Sequence, residues 1–390
     1  MMTTDSNTRT RLARHLFVAA WLLLIVSLAW DPVSSRLTTG EVGWSPWAPR
    51  DEVVNVRGEV VPLSGQYALG ASLLWGIAVP LIPLGMMLFG ERLWHRVCPL
   101  SAIMNLARRL TVRRRVGTGR PGNARRIDPG GWLSRNAWEV QFGLLFLFLN
   151  LRLLVINSDR GGLLLFFLFV IGVAGLLAMR FGRQAWCDHL CPMAPAQRIF
   201  SQPAPLLKER GGDGGHGYWA DVLNPSRHFV YYGYFGLVIA YYLYYFLWSG
   251  DWYYYHSGLW DHAPNPLGEL WAAGFYIAGR EIPIPKLLAV PLTLAAGVVL
   301  GNLLWGGIRR LITRWSGDAE LGAHRTLMLL VFCAFNGYYL FAGKPVLRGL
   351  PGPAEAVVTA LMLALSGWWL ARSLAMRPAR EDAPALVLPR

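Results

Sequence analysis

Gly162-Leu163-Leu164-Leu165-Phe166-Phe167-Leu168-Phe169-Val170-Ile171-Gly172-Val173-Ala174-Gly175-Leu176-Leu177-Ala178-Met179 carries no charge, and Arg180-Phe181-Gly182-Arg183-Gln184-Ala185-Trp186-Cys187-Asp188-His189-Leu190-Cys191-Pro192 follows it directly. An apolar run of this length crosses the hydrocarbon core of a bilayer as a helix. Lipid offers the backbone no hydrogen-bond partner, so the segment must satisfy its own N–H and C=O groups. Seven further apolar segments lie on either side, at 16–30, 66–89, 137–157, 229–248, 286–305, 325–343 and 353–371. The alternation of apolar and polar residues that marks a membrane barrel is absent. The pattern predicts an all-α polytopic integral membrane protein with about eight transmembrane helices.

Composition agrees. Of 390 residues, 54% are hydrophobic and 15% are charged, against about 25% charged in an ordinary soluble domain. This excludes a disordered chain, a soluble globular enzyme and a fibrous protein. The net charge of +14 points to Arg-rich cytoplasmic loops in a membrane protein and away from nucleic acid. Four cysteines in 390 residues do not make a disulfide scaffold.

Lys and Arg set the orientation. With both termini in the cytoplasm, 28 of the 37 basic residues fall on the cytoplasmic side, as the positive-inside rule requires. The first apolar stretch follows Arg9, Arg11 and Arg14, as in a signal peptide. Leu28-Ala29-Trp30-Asp31 is a poor cleavage site, which favours a retained helix. The chain then divides into a first helix with an external hairpin loop (1–65), a cysteine-motif membrane core (66–228) and a C-terminal four-helix membrane region (229–390). This orientation and composition suit a bacterial inner membrane.

The loops differ in kind. Residues 105–135 hold eight arginines from Arg108 to Arg126 besides Arg135, read as a topogenic loop on anionic lipid. The Pro- and Gly-rich stretch 192–227 reads as irregular. Outside, Glu52 to Val61 reads as a β-hairpin turning near Arg57-Gly58, and Phe275 to Ile284 as another turning at Gly279-Arg280. Asp251-Trp252-Tyr253-Tyr254-Tyr255-His256 with Asp261-His262 fits either an interfacial aromatic belt or a quinol or metal pocket.

Two segments carry the chemistry. Phe89-Gly90 precedes Trp94-His95-Arg96-Val97-Cys98-Pro99, and Phe181-Gly182 precedes Trp186-Cys187-Asp188-His189-Leu190-Cys191-Pro192. With a one-residue gap Trp94 aligns with Trp186, Cys98-Pro99 with Cys191-Pro192, and His95 with Cys187. A parallel repeat of this kind sets matching motifs side by side on one membrane face. Thiolates hold zinc or iron–sulfur clusters. Cys187 and Cys191 share a face if their helix continues, and so do His95 and Cys98. The Pro after each cysteine frees N–H groups that can bond to sulfur. Arg92, Arg96, Arg180, Arg183 and Arg198 are expected to lower the cysteine pKa values. Plain packing is the competing reading for a free Cys, and the one preferred for Cys333, which lies mid-helix. His95 reads either as a ligand in a cysteine slot or as an ordinary interfacial histidine, and His189 as support for a metal ligand.

These motifs resemble the membrane-bound iron–sulfur proteins of the periplasmic nitrate reductase membrane ferredoxin, nitrous-oxide reductase regulator and methylamine-utilisation ferredoxin type. Their membrane core carries two Cys-x-x-x-Cys-Pro motifs at cytoplasmic helix ends. Cys187 and Cys191-Pro192 fit the second motif. Only Cys98-Pro99 fits the first, whose other cysteine falls at Trp94. The resemblance covers about residues 66–200. It implies an iron–sulfur cluster of the 4Fe-4S type on Cys98, Cys187 and Cys191 with His95 as a fourth candidate. It also implies electron transfer between a quinone or soluble donor and a redox partner protein. The Cys-x-x-Cys-x-x-Cys runs of many such relatives are missing from this chain. An assembly or structural subunit of a membrane redox complex is the alternative, as is a transporter. Few ionisable residues within the spans, chiefly Glu139 and Arg152, weigh against a transporter. The absence of mid-span histidine pairs weighs against a transmembrane di-haem cytochrome.

Overall fold

The computed structural model describes residues 3–38, 53–56, 59–62, 69–70, 79–117, 127–156, 160–181, 185–203, 205–207, 218–219, 221–222, 224–247, 267–277, 280–344 and 352–376. The chain is mostly helical. Its principal helices are α1 (Thr3–Ala29), α2 (Val79–Phe89), α3 (Glu91–Val97), α4 (Pro99–Gly117), α5 (Ala137–Leu154) and α6 (Arg160–Phe181). They continue with α7 (Ala185–His189), α8 (Ala194–Ser201), α9 (Pro225–Leu247), α10 (Lys286–Ser316), α11 (Ala319–Tyr338) and α12 (Gly352–Leu374). Among the described residues α1, α5, α6, α10 and α12 are long and apolar enough to cross a membrane. The apolar runs at 66–89, 229–248 and 325–343 are met by α2, α9 and α11. α9 is crowded with Tyr, and α11 opens on charged residues. The outer faces of the long helices expose Leu165, Phe169 and Leu176 on α6 and Leu292, Val299, Leu300 and Leu303 on α10. Such faces suit contact with lipid.

Both expected hairpins are present. β1 (Val53–Val56) pairs antiparallel with β2 (Glu59–Pro62), and Val56 faces Glu59. β3 (Ala273–Ile277) pairs with β4 (Arg280–Pro285), and Ile277 faces Arg280. Arg280 is therefore a strand residue and not part of the turn. The aromatic segment 251–262 lies outside the described residues.

Helices lie in both of the long connections. Residues 99–117 form α4, so the arginine-rich connection opens as a helix. Leu100, Ile103, Met104 and Ala107 recur at helical spacing, and Met104 is buried in a small core with Val170, Ala174 and Ala178 of α6. Residues 194–201 form α8, nearly all of it buried. Pro195 sits in its first turn, where a missing N–H costs nothing.

The C-terminal helices pack through small and polar residues. At the crossing of α9 and α10, a Cβ on Gly236 would stand 1.9 Å from the Gly297 carbonyl oxygen, and one on Gly301 would stand 2.5 Å from that of Tyr232. Gly297 and Gly301 thus form a small-x-x-x-small face, the usual device for close approach of membrane helices. The turn from α10 to α11 uses Gly317 at φ +67° and then Asp318, whose carboxylate accepts from the N–H groups of Glu320 and Leu321. Left-handed glycine closes one helix and the Asp cap opens the next. Asn336 Nδ2 donates to Ser366 Oγ at 3.1 Å, joining α11 to α12. One hydrophobic core runs from Met86 and Met87 of α2 through Trp138, Phe200 and Tyr231 to Trp369 of α12. The cysteine-motif region and the C-terminal helices therefore share a core.

Candidate functional site

The two cysteine segments adopt matching courses. In the first, α2 ends at Phe89, Gly90 breaks the helix at φ +77°, α3 follows, and Cys98-Pro99 opens α4. In the second, α6 ends at Phe181, α7 follows, and Cys191-Pro192 leads into α8. The Cys98 N–H donates to the Trp94 carbonyl at 2.8 Å, and the Cys191 N–H donates to the Trp186 carbonyl, also at 2.8 Å. The first bond spans four residues and the second five. The residue by which the motifs differ in length is thus absorbed as a wider turn, as in a π-bulge. The aligned tryptophans and cysteines occupy equivalent places.

Each Cys-Pro step then presents its cysteine to freed backbone donors. The backbone N–H groups of Leu100 and Ser101 favour the charged form of Cys98, and those of Met193 and Ala194 favour that of Cys191. Proline brings no N–H of its own, and the Ala194 N–H donates to the Cys191 carbonyl oxygen at 3.1 Å. The Trp186 indole adds a third donor to Cys191. Cys187 is held otherwise: Gln141 Nε2 of α5 donates to its carbonyl oxygen at 3.1 Å.

The three thiols lie within electrostatic reach of one another. Leu100, Cys187 and Cys191 pack on the same small core, beside Met104 and Trp186. The charge of Cys98 acts on both Cys187 and Cys191, and that of Cys191 acts on Cys187. Burial pushes all three pKa values above the usual thiol range. Cys191 rises to about 12, and Cys187 rises further under the added charges of Cys191, Cys98 and Asp188. This overturns the expectation that arginines depress them. Arg180 lies over the Phe181 ring and Arg198 over that of Trp138, so desolvation outweighs the sulfur-directed donors.

Two helical-face arguments fall. α3 ends at Val97, and Cys98 is extended (φ −54°, ψ 125°), so His95 and Cys98 do not share a continuing helix. α7 ends at His189, before Cys191. His189 is also committed elsewhere, with Nε2 3.2 Å from Ser134 Oγ and Nδ1 3.3 Å from the Ala185 oxygen. His95 is half-buried on α3, and its ring makes no hydrogen bond among the described residues. Cys333 stands apart, exposed on α11.

Among the described residues no three His, Cys, Asp or Glu side chains gather around one point as ligands of a single ion. Sequence reasoning missed Gln141 and the Trp186 indole as site residues. Gln141 is a buried amide in an apolar helix, and that was the available signal. No protein-family model, no curated protein and no solved structure matches the chain. The likeness noted above therefore rests on the motif residues alone.

Proposed function

We propose that this chain is an integral-membrane iron–sulfur electron-transfer protein. It would pass electrons between a quinone or soluble donor and a redox partner protein, in a bacterial inner membrane, with about eight spanning helices and cytoplasmic termini. The observation that supports the reading is the matched pair of Cys-Pro steps beside Cys187, in which the Cys98 and Cys191 N–H groups return to the aligned Trp94 and Trp186 carbonyls. A bound 4Fe-4S cluster supplies one-electron chemistry. Cys98, Cys187 and Cys191 would hold it, and His95 is the candidate for the fourth position because its ring makes no hydrogen bond among the described residues and it occupies the slot of Cys187. The amides and the Trp186 indole stabilise negative charge at sulfur, the surrounding core excludes water, and the thiols give up their protons on loading.

A second reading is an assembly or structural subunit without a cluster of its own. It is favoured by Trp94 and His95, which stand where the related motif has a first cysteine. Iron and acid-labile sulfide analysis of anaerobically purified protein, with its visible spectrum, separates the two. Iron and sulfide in equal amounts with a broad visible absorbance are expected. Protein free of both supports the second reading instead.

A further inference from the structure

We infer that Arg198 and Arg227 form a seat for a phosphate group beside Trp138. Three elements meet there: the first turn of α5, which carries Trp138 and Glu139; α8, which carries Arg198; and the first turn of α9, which carries Arg227. Trp138 is buried. The Arg227 guanidinium carbon lies 4.0 Å from its ring centroid and that of Arg198 lies 4.9 Å away. The Arg227 guanidinium feels the charge of Arg198. Two like charges on one ring repel, and the one carboxylate paired with them among the described residues, Asp221, meets only Arg227 Nε.

The donors are under-used. Arg227 Nε is 3.3 Å from Asp221 Oδ1, but neither Nε nor Nη1 makes a hydrogen bond, although both atoms are buried. Arg198 makes no hydrogen bond or ion pair among the described residues, and its guanidinium rests on the Trp138 face. A buried guanidinium N–H without an acceptor is costly and calls for an unseen partner. Asp221 and Glu139 offset part of the local charge. The positive ends of α5 and α9, helices of 18 and 23 residues, open at the same place and favour an anion again. Several acceptors are required on one small group. Phosphate supplies them in the geometry that the planar guanidinium fork matches. The phosphate belongs either to a membrane phospholipid headgroup or to a soluble phosphate. This inference stands independently of the cysteine site.

The test uses full-length protein in a non-ionic detergent, with thermal unfolding followed by tryptophan fluorescence. Phosphatidylglycerol, inorganic phosphate and phosphate-free diacylglycerol are added separately. The unfolding midpoint is expected to rise with at least one phosphate-bearing additive and not with diacylglycerol. A rise with phosphatidylglycerol alone assigns the seat to a lipid headgroup, and a rise with inorganic phosphate assigns it to a soluble ligand. Arg198→Gln is expected to weaken the apparent affinity by about tenfold or more, the scale of a lost charge-assisted hydrogen bond. Arg198→Lys, which keeps the charge and loses the fork, is expected to fall between, while Arg108→Gln on the exposed part of α4 keeps the wild-type response. No rise with either phosphate additive, or an undiminished rise in Arg198→Gln, overturns the proposal.

Discussion

At the scale of single residues, the chemistry of the site is a contest between desolvation and directed donors. Two amides at Cys98 and three donors at Cys191 favour the thiolate, and burial disfavours it more strongly. The sign follows for metal-free protein. A thiol whose pKa is raised on folding keeps its proton, so its contribution to stability is present below the ordinary thiol pKa of about 8.5 and is lost as pH rises through the folded value. With Cys191 raised to about 12, roughly one thiol in ten thousand is ionised at pH 8, against about a quarter of ordinary thiols. Alkylation of Cys191 at pH 8 should be at least about a hundredfold slower in folded metal-free protein than after unfolding. Equal rates in the two states would contradict the burial argument. His95 offers a second residue-scale prediction. Imidazole in place of thiolate raises the potential of known clusters, so His95→Cys should retain the cluster and lower its midpoint potential, whereas His95→Ala should leave it labile. Redox titration with electron paramagnetic resonance reads both, and identical signals and potentials in the two variants would remove His95 from the ligand set.

At the scale of elements, what the sequence revealed and what it hid have distinct physical causes. The apolar runs were legible because hydrocarbon demands long, charge-free helices. The hairpin of β1 and β2 was legible because valine-rich runs flank Arg57-Gly58. α4 was hidden because its second half carries Arg108, Arg109, Arg113, Arg114 and Arg115, and a positive run that reads as a topogenic loop masks the apolar spacing from Leu100 to Ala107. The break at Cys98 was hidden as well. A Pro after Cys signals an ending, but it does not say that α4 will start again at once from Pro99. The π-like turn at Trp186 was visible only as a one-residue gap between the motifs. Packing at the α9–α10 crossing gives the element-scale prediction. Gly301→Leu forces side-chain atoms into the backbone of Tyr232 and Gly236. It should cost at least about 1–3 kcal/mol, the usual range for overpacking. Gly306→Ala in the same helix meets nothing within 4 Å and should leave the unfolding midpoint unchanged or raised. Thermal unfolding in detergent compares them, and equal midpoints for the two variants would show that the crossing is looser than described.

At the scale of the whole molecule, the small core around Met104 and Trp186 joins the two cysteine segments, and the large core ties their helices to the C-terminal ones. The Leu206 and Leu207 N–H groups donate to the last carbonyls of α2, those of Met87 and Leu88. The chain leaving the second motif is thereby fastened just ahead of Gly90, where the first begins. Arg372 of α12 donates to the Leu206 oxygen at 2.6 Å, so the C-terminal helices brace the same strap. Orientation rests on charge, with 28 of 37 basic residues on one side. Green fluorescent protein fused after Arg390 should therefore fluoresce, and an alkaline phosphatase fusion there should be inactive. The reverse pair of results would invert the topology. The central claim, that Cys98, Cys187 and Cys191 serve one site, is tested most directly by the iron content of single variants purified anaerobically. Cys98→Ala, Cys187→Ala and Cys191→Ala should each lose most of the bound iron, while Cys333→Ala, far from the site on α11, keeps the wild-type amount. Equal loss in all four, or full retention in any of the first three, would contradict the account.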